Sequence, residues 1–357
     1  MKALRILAGP AALSHIRAQG LSSSDIGVMP GAAGGPKGLI LGPLDRFLFG
    51  DWLPGSTQPI DLVGASIGAW RWASACLDQP VRALKKLEHD YIHQDYRVPE
   101  GQKRPGAEQV SREFGQNLQA FYGGRVHEVI QHPRLRLHVV TSRGQHVLAR
   151  EGSAQTLLGY AGAYLSNALS RRWLGFWLHR VVFSTQAQRP LPFATYDFPT
   201  ERVALTEANF MPAVQASCSI PFLLQAVHDI PMAAPGAHWD GGITDYHLHL
   251  DYRAQQRLVL YPHFQPQVVP GWLDKAWKRR HLATPFLERM VLLCPTPEWV
   301  ASLPNAKLPD RTDFTAYRDV TERIRVWQTA AGAAQQLADE WALWLQNPDP
   351  AQVELLT

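Results

Sequence analysis

The order of segments along the chain predicts an α/β fold, a three-layer α/β/α domain around a mostly parallel central sheet. Two consecutive units of short apolar strand, glycine turn and helix open the chain, and such units close by right-handed crossovers that lay their strands parallel. Further strand-like segments recur through the middle, and an amphipathic helix ends the chain. With 357 residues, 46% of them hydrophobic and 18% charged, and with no low-complexity run, the chain can bury a large core unaided. Residues 1–357 read as one domain, because no linker is strong enough to divide them.

Each element has a local cause. Residues 11–19 read as a short helix that begins after Pro10 and stops at Gly20, and 26–29 as a buried strand entering a glycine-rich turn. That turn opens a helix on which Ile40, Leu44, Phe47 and Leu48 share a face. In the second unit, 60–63 is a strand after Pro59, 64–68 a turn and 69–77 a helix. A helix over 81–92, a polar surface loop over 98–106 and an alternating strand over 135–141 follow.

From Ala154 the pattern turns helical, with Leu157, Ala161, Tyr164, Leu165 and Ala168 on one face, and the stretch around 153–180 reads as an insertion between strands. Strands are predicted at 181–184, 203–205 and 290–293. A closing helix over 321–345 carries Ile324, Trp327, Ala331, Ala334, Ala338 and Trp341.

Composition excludes several classes. Cys76, Cys218 and Cys294 lie far apart in apolar stretches, which suits buried thiols and neither a zinc cluster nor a disulfide framework. Lys2 and Arg5 precede an apolar stretch that Gly9-Pro10 interrupts, a poor secretory leader, and no segment is apolar enough for a membrane span. A cytoplasmic location is expected, with peripheral contact to a membrane open. The net charge of +4 comes from dispersed Lys and Arg, so no nucleic-acid partner is expected.

Gly64-Ala65-Ser66-Ile67-Gly68 has the GxSxG spacing between a predicted strand and a predicted helix. In that context the pattern is a nucleophile elbow: glycines permit the tight turn, and the helix start directs N–H groups at a developing oxyanion. The earlier turn, Gly34-Gly35-Pro36-Lys37-Gly38, lacks nucleotide-binding spacings, but its amides at a helix start suit an anion. Neighbouring parallel strands would bring both turns to one sheet edge, so the N–H groups of Gly34, Gly35, Lys37, Gly38 and Ile67 form a candidate oxyanion hole. Late in the chain, Asp240-Gly241-Gly242 sets a carboxylate before two glycines; by itself Asp-Gly is a common turn.

In these three motifs and their order the chain resembles the patatin-like phospholipase family. The stretch from Ala216 to Phe222 adds an Ala-Ser-x-x-x-Pro pattern, and the resemblance spans roughly 26–246 in scattered motifs. It implies Ser66 as nucleophile, Asp240 as general base without a histidine, and amides around Gly34 and Gly35 as oxyanion donors. The activity implied is hydrolysis of lipid acyl esters through an acyl-enzyme, with no cofactor and no metal. Ala33 stands where the family has its first glycine, Pro36 removes one N–H, and Lys37 takes a position often held by Arg.

Two other readings remain open. His247 and His249 follow Asp240 closely, with His263 and His281 beyond, and a Ser, Asp, His order is that of an α/β-hydrolase triad. A lipid-binding or regulatory protein that kept the fold without turnover is the second. Trp173, Phe176 and Trp177 with Arg171, Arg172 and Arg180 form either a lipid-facing patch or a helix packed on the sheet. Trp272, Lys275, Trp277, Lys278, Arg279 and Arg280 form a similar patch or a solvated basic face.

Overall fold

The computed structural model describes residues 1–96, 98 and 105–357. Among the described residues eleven strands form one sheet: β1 (Leu4–Ala8), β2 (Ile26–Gly31), β3 (Ile60–Ala65), β4 (Leu135–Gly144), β5 (Leu178–Ser184), β6 (Thr200–Ala204), β7 (Val227–His228), β8 (Ala237–Asp240), β9 (Leu258–Pro262), β10 (Met290–Pro295) and β11 (Val353–Leu355). Their spatial order is β11-β1-β10-β9-β2-β3-β4-β5-β6, with β8 on β4 and β7 on β8. Along the main path only β1 with β10 and β4 with β5 run antiparallel.

The central strands β2, β9 and β10 are buried at every residue, as continuous apolar runs covered on both faces are. Helices pack over the sheet in a three-layer arrangement. Among them Gly42–Phe47, Ile67–Ala75, Pro80–Ile92, Val320–Ala333 and Gln335–Gln346 contact one another, while Ala107–Tyr122 packs on Glu207–Ser217. Two buried ion pairs tie this framework together. Arg71 in the helix after β3 holds both oxygens of Asp45 at 2.7 Å, and Arg180 in β5 holds both oxygens of Asp245 at 2.7 and 2.8 Å.

The structure departs from the sequence reading in several places. The apolar stretch after Lys2, to which the sequence reading assigns no element, forms β1 between β10 and β11. Strand β9 was not anticipated. The insertion around 153–180 ends at Trp177, because Leu178 already begins β5 and pairs with Gly144. The closing helix is two helices, Val320–Ala333 and Gln335–Gln346, broken at Ala334 just after the weak helix former Gly332. The predicted loop over 98–106 lies mostly outside the described residues. Among the described residues no helix is long and apolar enough to cross a membrane.

Candidate active site

The ends of β2 and β3 build the floor of the site. They are parallel neighbours, with Gly31 opposite Gly64, so both glycine turns leave the sheet at one edge. Ser66 follows β3 at φ 56° and ψ −129°, a left-handed conformation that ordinary side chains avoid and that nucleophile elbows adopt. Gly64 is required because a Cβ there would lie 2.4 Å from the Ala69 Cα. The strained turn is held from outside: the Ser66 N–H donates to Ser217 Oγ at 2.9 Å, and that hydroxyl donates to the Val140 carbonyl at 2.7 Å.

Sheet register brings Asp240 to the same point. Strand β4 is longer than its partner β3, which pairs with Leu135 to Val140 and ends with Ala65 opposite Val140. Along the edge that β3 vacates, β8 continues antiparallel, with Asp240 opposite Thr141. The last residue of β3 and the last residue of β8 therefore meet on adjacent positions of β4. Ser66 Oγ donates to Asp240 Oδ2 at 2.6 Å, and the Gly242 N–H donates to Asp240 Oδ1 at 2.7 Å. Gly241 has its own reason, since a Cβ there would fall 2.1 Å from the Val140 carbonyl oxygen.

The segment before β8 completes the support. Asp240 N–H donates to the Ser219 carbonyl at 2.9 Å and Gly241 N–H to that of Ser217 at 3.2 Å, so the Ala-Ser-x-x-x-Pro stretch braces both members of the pair. Burial pushes the Asp240 carboxyl up to about 6, although the hydrogen bonds from Ser66 and Gly242 and the charges of Lys275 and Arg311 pull it down. The half-buried Cys218 thiol is pushed well up by desolvation and by Asp240, so it stays neutral.

The glycine turn supplies fewer donors than its sequence offers. The Lys37 N–H reaches back to the Gly34 carbonyl at 3.4 Å, and Gly38 lies inside the short helix Gly35–Leu41 against Ile67 and does not line the cleft over Ser66. Those two amides leave the expected set. Gly34 and Gly35 line the cleft, and among the described residues their N–H groups, like that of Ile67, have no hydrogen-bond acceptor in the protein. Ala33, in place of a glycine, donates its N–H to the Tyr246 carbonyl at 2.9 Å and so ties this turn to the segment after Asp240.

A cleft of about 110 Å³ opens over Ser66 and Asp240. Its wall includes Ile220, Pro221, Ile243, Tyr246 and Trp272, and its mouth carries Lys37, Lys275, Asp310 and Arg311. Lys275 reaches solvent at its edge, yet its ammonium sits 3.9 Å from the centre of the Tyr246 ring. Partial burial, with repulsion from Lys37 and Arg311, pushes that ammonium down to about 8. Tyr246 and Arg311 carried no signal in the sequence, and Trp272 and Lys275 were legible only as members of a basic aromatic patch.

The chain matches no family model, no curated protein and no solved structure. The chemistry of the site therefore stands on its own residues.

No histidine among the described residues shares a hydrogen bond with Ser66 or Asp240. His247 Nδ1 is engaged by the Gln267 carbonyl and the Val269 N–H, and His249 bonds the Val268 carbonyl and Thr284 Oγ1. His263 turns to Gln265 and His281 to the Asp274 carbonyl. Burial pushes His249 down to about 4 and His263 to about 3, so both rings stay neutral.

A Ser–His–Asp arrangement does exist elsewhere. His138 on β4 sits between Ser184 Oγ at 2.7 Å and Asp61 Oδ1 at 3.0 Å. Ser184 is buried in the sheet and His138 meets it through Nδ1, so these hydrogen bonds satisfy polar groups across three strands. No group of three or more His, Cys, Asp or Glu among the described residues is placed to hold a metal.

Proposed function

We propose that the chain is a serine hydrolase of acyl esters, working through Ser66 and Asp240 as a resemblance to the patatin-like phospholipases implies. The observation that carries this reading is the 2.6 Å contact from Ser66 Oγ, at φ 56°, to a buried carboxylate inside a cleft. Ser66 Oγ attacks the acyl carbonyl while its proton passes to Asp240 Oδ2. Negative charge that develops on the carbonyl oxygen is met by the N–H groups of Gly34 and Gly35. Collapse returns the proton from Asp240 to the leaving alcohol, and water then clears the acyl group by the same steps in reverse order.

A carboxylate held near 6 is a stronger base than one in water, which is what a dyad without imidazole needs. Both Asp240 oxygens are already engaged by the nucleophile and by Gly242, a geometry that fixes the accepting lone pair. A fluorophosphonate probe tests the reading. Labelling of the wild type that disappears in Ser66→Ala supports it, and equal labelling of both removes Ser66 from the chemistry. Burst-free incubation with short-chain nitrophenyl esters would instead favour a lipid-binding protein.

A further inference from the structure

The helix Ser153–Leu169 carries apolar side chains on both of its sides. Its buried side sets Tyr160 and Ala163 in the core beside Thr156 and Asn167, while Leu157, Leu158, Leu165 and Leu169 stand 61–76% exposed on the other. The residues that periodicity groups on one face, Leu157, Ala161, Tyr164 and Leu165, are thus on the solvent side. Trp173 and Phe176, 60% and 59% exposed, extend it beyond the helix end. Monomeric soluble proteins rarely leave so continuous an apolar surface uncovered.

Charge along and beyond this helix is basic, with the exposed Glu151 only before its start. No acidic residue occurs between Glu151 and Asp197, and Arg172 is exposed beside Trp173. Exposed Lys278 and Arg279 follow Trp277, whose ring stacks on Tyr164 of the helix at 6.3 Å. The face is also bolted to the cleft. Asn167 and Arg171 both hold the buried Asp274 carboxylate at 2.9 Å, and Asp274 lies between Trp272 and Lys275 of the cleft wall.

We propose that the face formed by Ser153–Leu169 and Arg171–Phe176 seats on an anionic lipid surface, with the Ser66 cleft opening at its margin. Leucines and Trp173 enter the acyl boundary, and the basic rim meets the headgroups. A second copy of the chain fits less well, because a symmetric contact through this face would set the same basic rims against each other. Delivery of substrate from that surface rests on the acyl-ester reading above; the docking does not.

Cosedimentation of the full-length Ser66→Ala protein with vesicles separates the two. Vesicles of phosphatidylcholine alone, and with phosphatidylserine added, are the probes. Binding is expected to favour the anionic vesicles and to fall by about tenfold or more in Ser66→Ala carrying Leu158→Glu and Leu165→Glu, since each leucine removed from apolar contact is worth roughly that factor. Arg172→Glu with Arg279→Glu is expected to abolish the preference for phosphatidylserine. Thermal melts should not move, because all four side chains are exposed.

Failure to bind either vesicle overturns the proposal, as does binding that ignores the leucine substitutions. So does self-association, seen by analytical ultracentrifugation, that the leucine substitutions abolish while vesicles stay unbound. If vesicles bind as expected and the wild type turns over no ester, docking stands and the hydrolase reading falls.

Discussion

Gly68 packs so closely on Gly31 that a Cβ on Gly68 would sit 1.8 Å from the Gly31 carbonyl oxygen. This contact joins the turn after β3 to the end of β2, and it sets how near Ser66 can lie to the amides of Gly34 and Gly35. The obstruction is backbone, which cannot rotate aside as a side chain does. Gly68→Ala is expected to destabilise the fold by more than about 3 kcal/mol, measured as a lowered urea midpoint. A midpoint within error of the wild type would show that the two turns are not in this contact.

Asp240 predicts the pH dependence of turnover. The proposed reaction would need its carboxylate, and burial holds the group near 6, so kcat/KM should rise with pH and level off above about 6. Asp240→Asn should lower kcat by about 10²–10⁴-fold at every pH, the range removal of a general base produces. His247→Ala and His249→Ala should leave the profile in place. An acid limb near 4, or loss of activity in either histidine variant, would contradict this assignment.

The same shift has a consequence for stability, of opposite sign to the usual carboxylate. Folding raises the Asp240 pKa from 3.8 to about 6, so the folded state prefers the protonated form. That contribution is complete below about pH 4 and is lost as pH rises through 6, where a charge must be kept buried. Asp240→Asn removes the penalty. Relative to the wild type, the variant should gain on the order of 1–3 kcal/mol between pH 4 and pH 7 in parallel urea titrations. A difference independent of pH would mean that Asp240 is not titrating in this window.

Arg180 gives a prediction about support and not chemistry. It is fully buried, and it holds Asp245 and Asp197, each through both carboxylate oxygens. Burial alone would raise the Asp245 carboxyl, but Arg180 holds it below the ordinary range. Asp245 N–H closes the turn onto the Gly241 carbonyl at 2.9 Å, so this pair fixes the segment that carries Asp240. Arg180→Met should cost about 3–5 kcal/mol by taking the main partner from the buried Asp245 carboxylate, seen as a lower thermal midpoint. Unchanged stability would mean that Asp245 is paired by Arg171 alone.

What could be read in the sequence was what local backbone chemistry marks. Ser66 and Asp240 stand out because tight turns need glycine beside them, and the two opening units show because strand, turn and helix each leave a short-range pattern. Strands β1 and β9 lack such turns, and a short apolar run does not say which neighbours it will take. The meeting of Ser66 with Asp240 depends on β4 outrunning β3, a length difference that only pairing reveals. Periodicity told which residues share a face of Ser153–Leu169 but not which way that face points. Tyr246 and Arg311 reach the cleft from irregular chain, where no period exists to single them out.

Lys275 and Asp240 titrate in each other's field, and that coupling can be read kinetically. The Lys275 ammonium lowers the Asp240 pKa, while Asp240 raises that of Lys275 against the stronger effects of burial and of Lys37. Replacing Lys275 by Gln removes a positive charge from the cleft mouth, so the carboxylate becomes harder to form. The acid limb of kcat/KM should then move above its wild-type position near 6, by a few tenths of a unit, the effect one partly screened charge has across a cleft. Any change in activity that the wild type shows near pH 8, where Lys275 loses its proton, should vanish in the same variant. An acid limb that does not move would place the Lys275 ammonium outside the field of Asp240, and with it the cation on which the electrostatics of the cleft mouth depend.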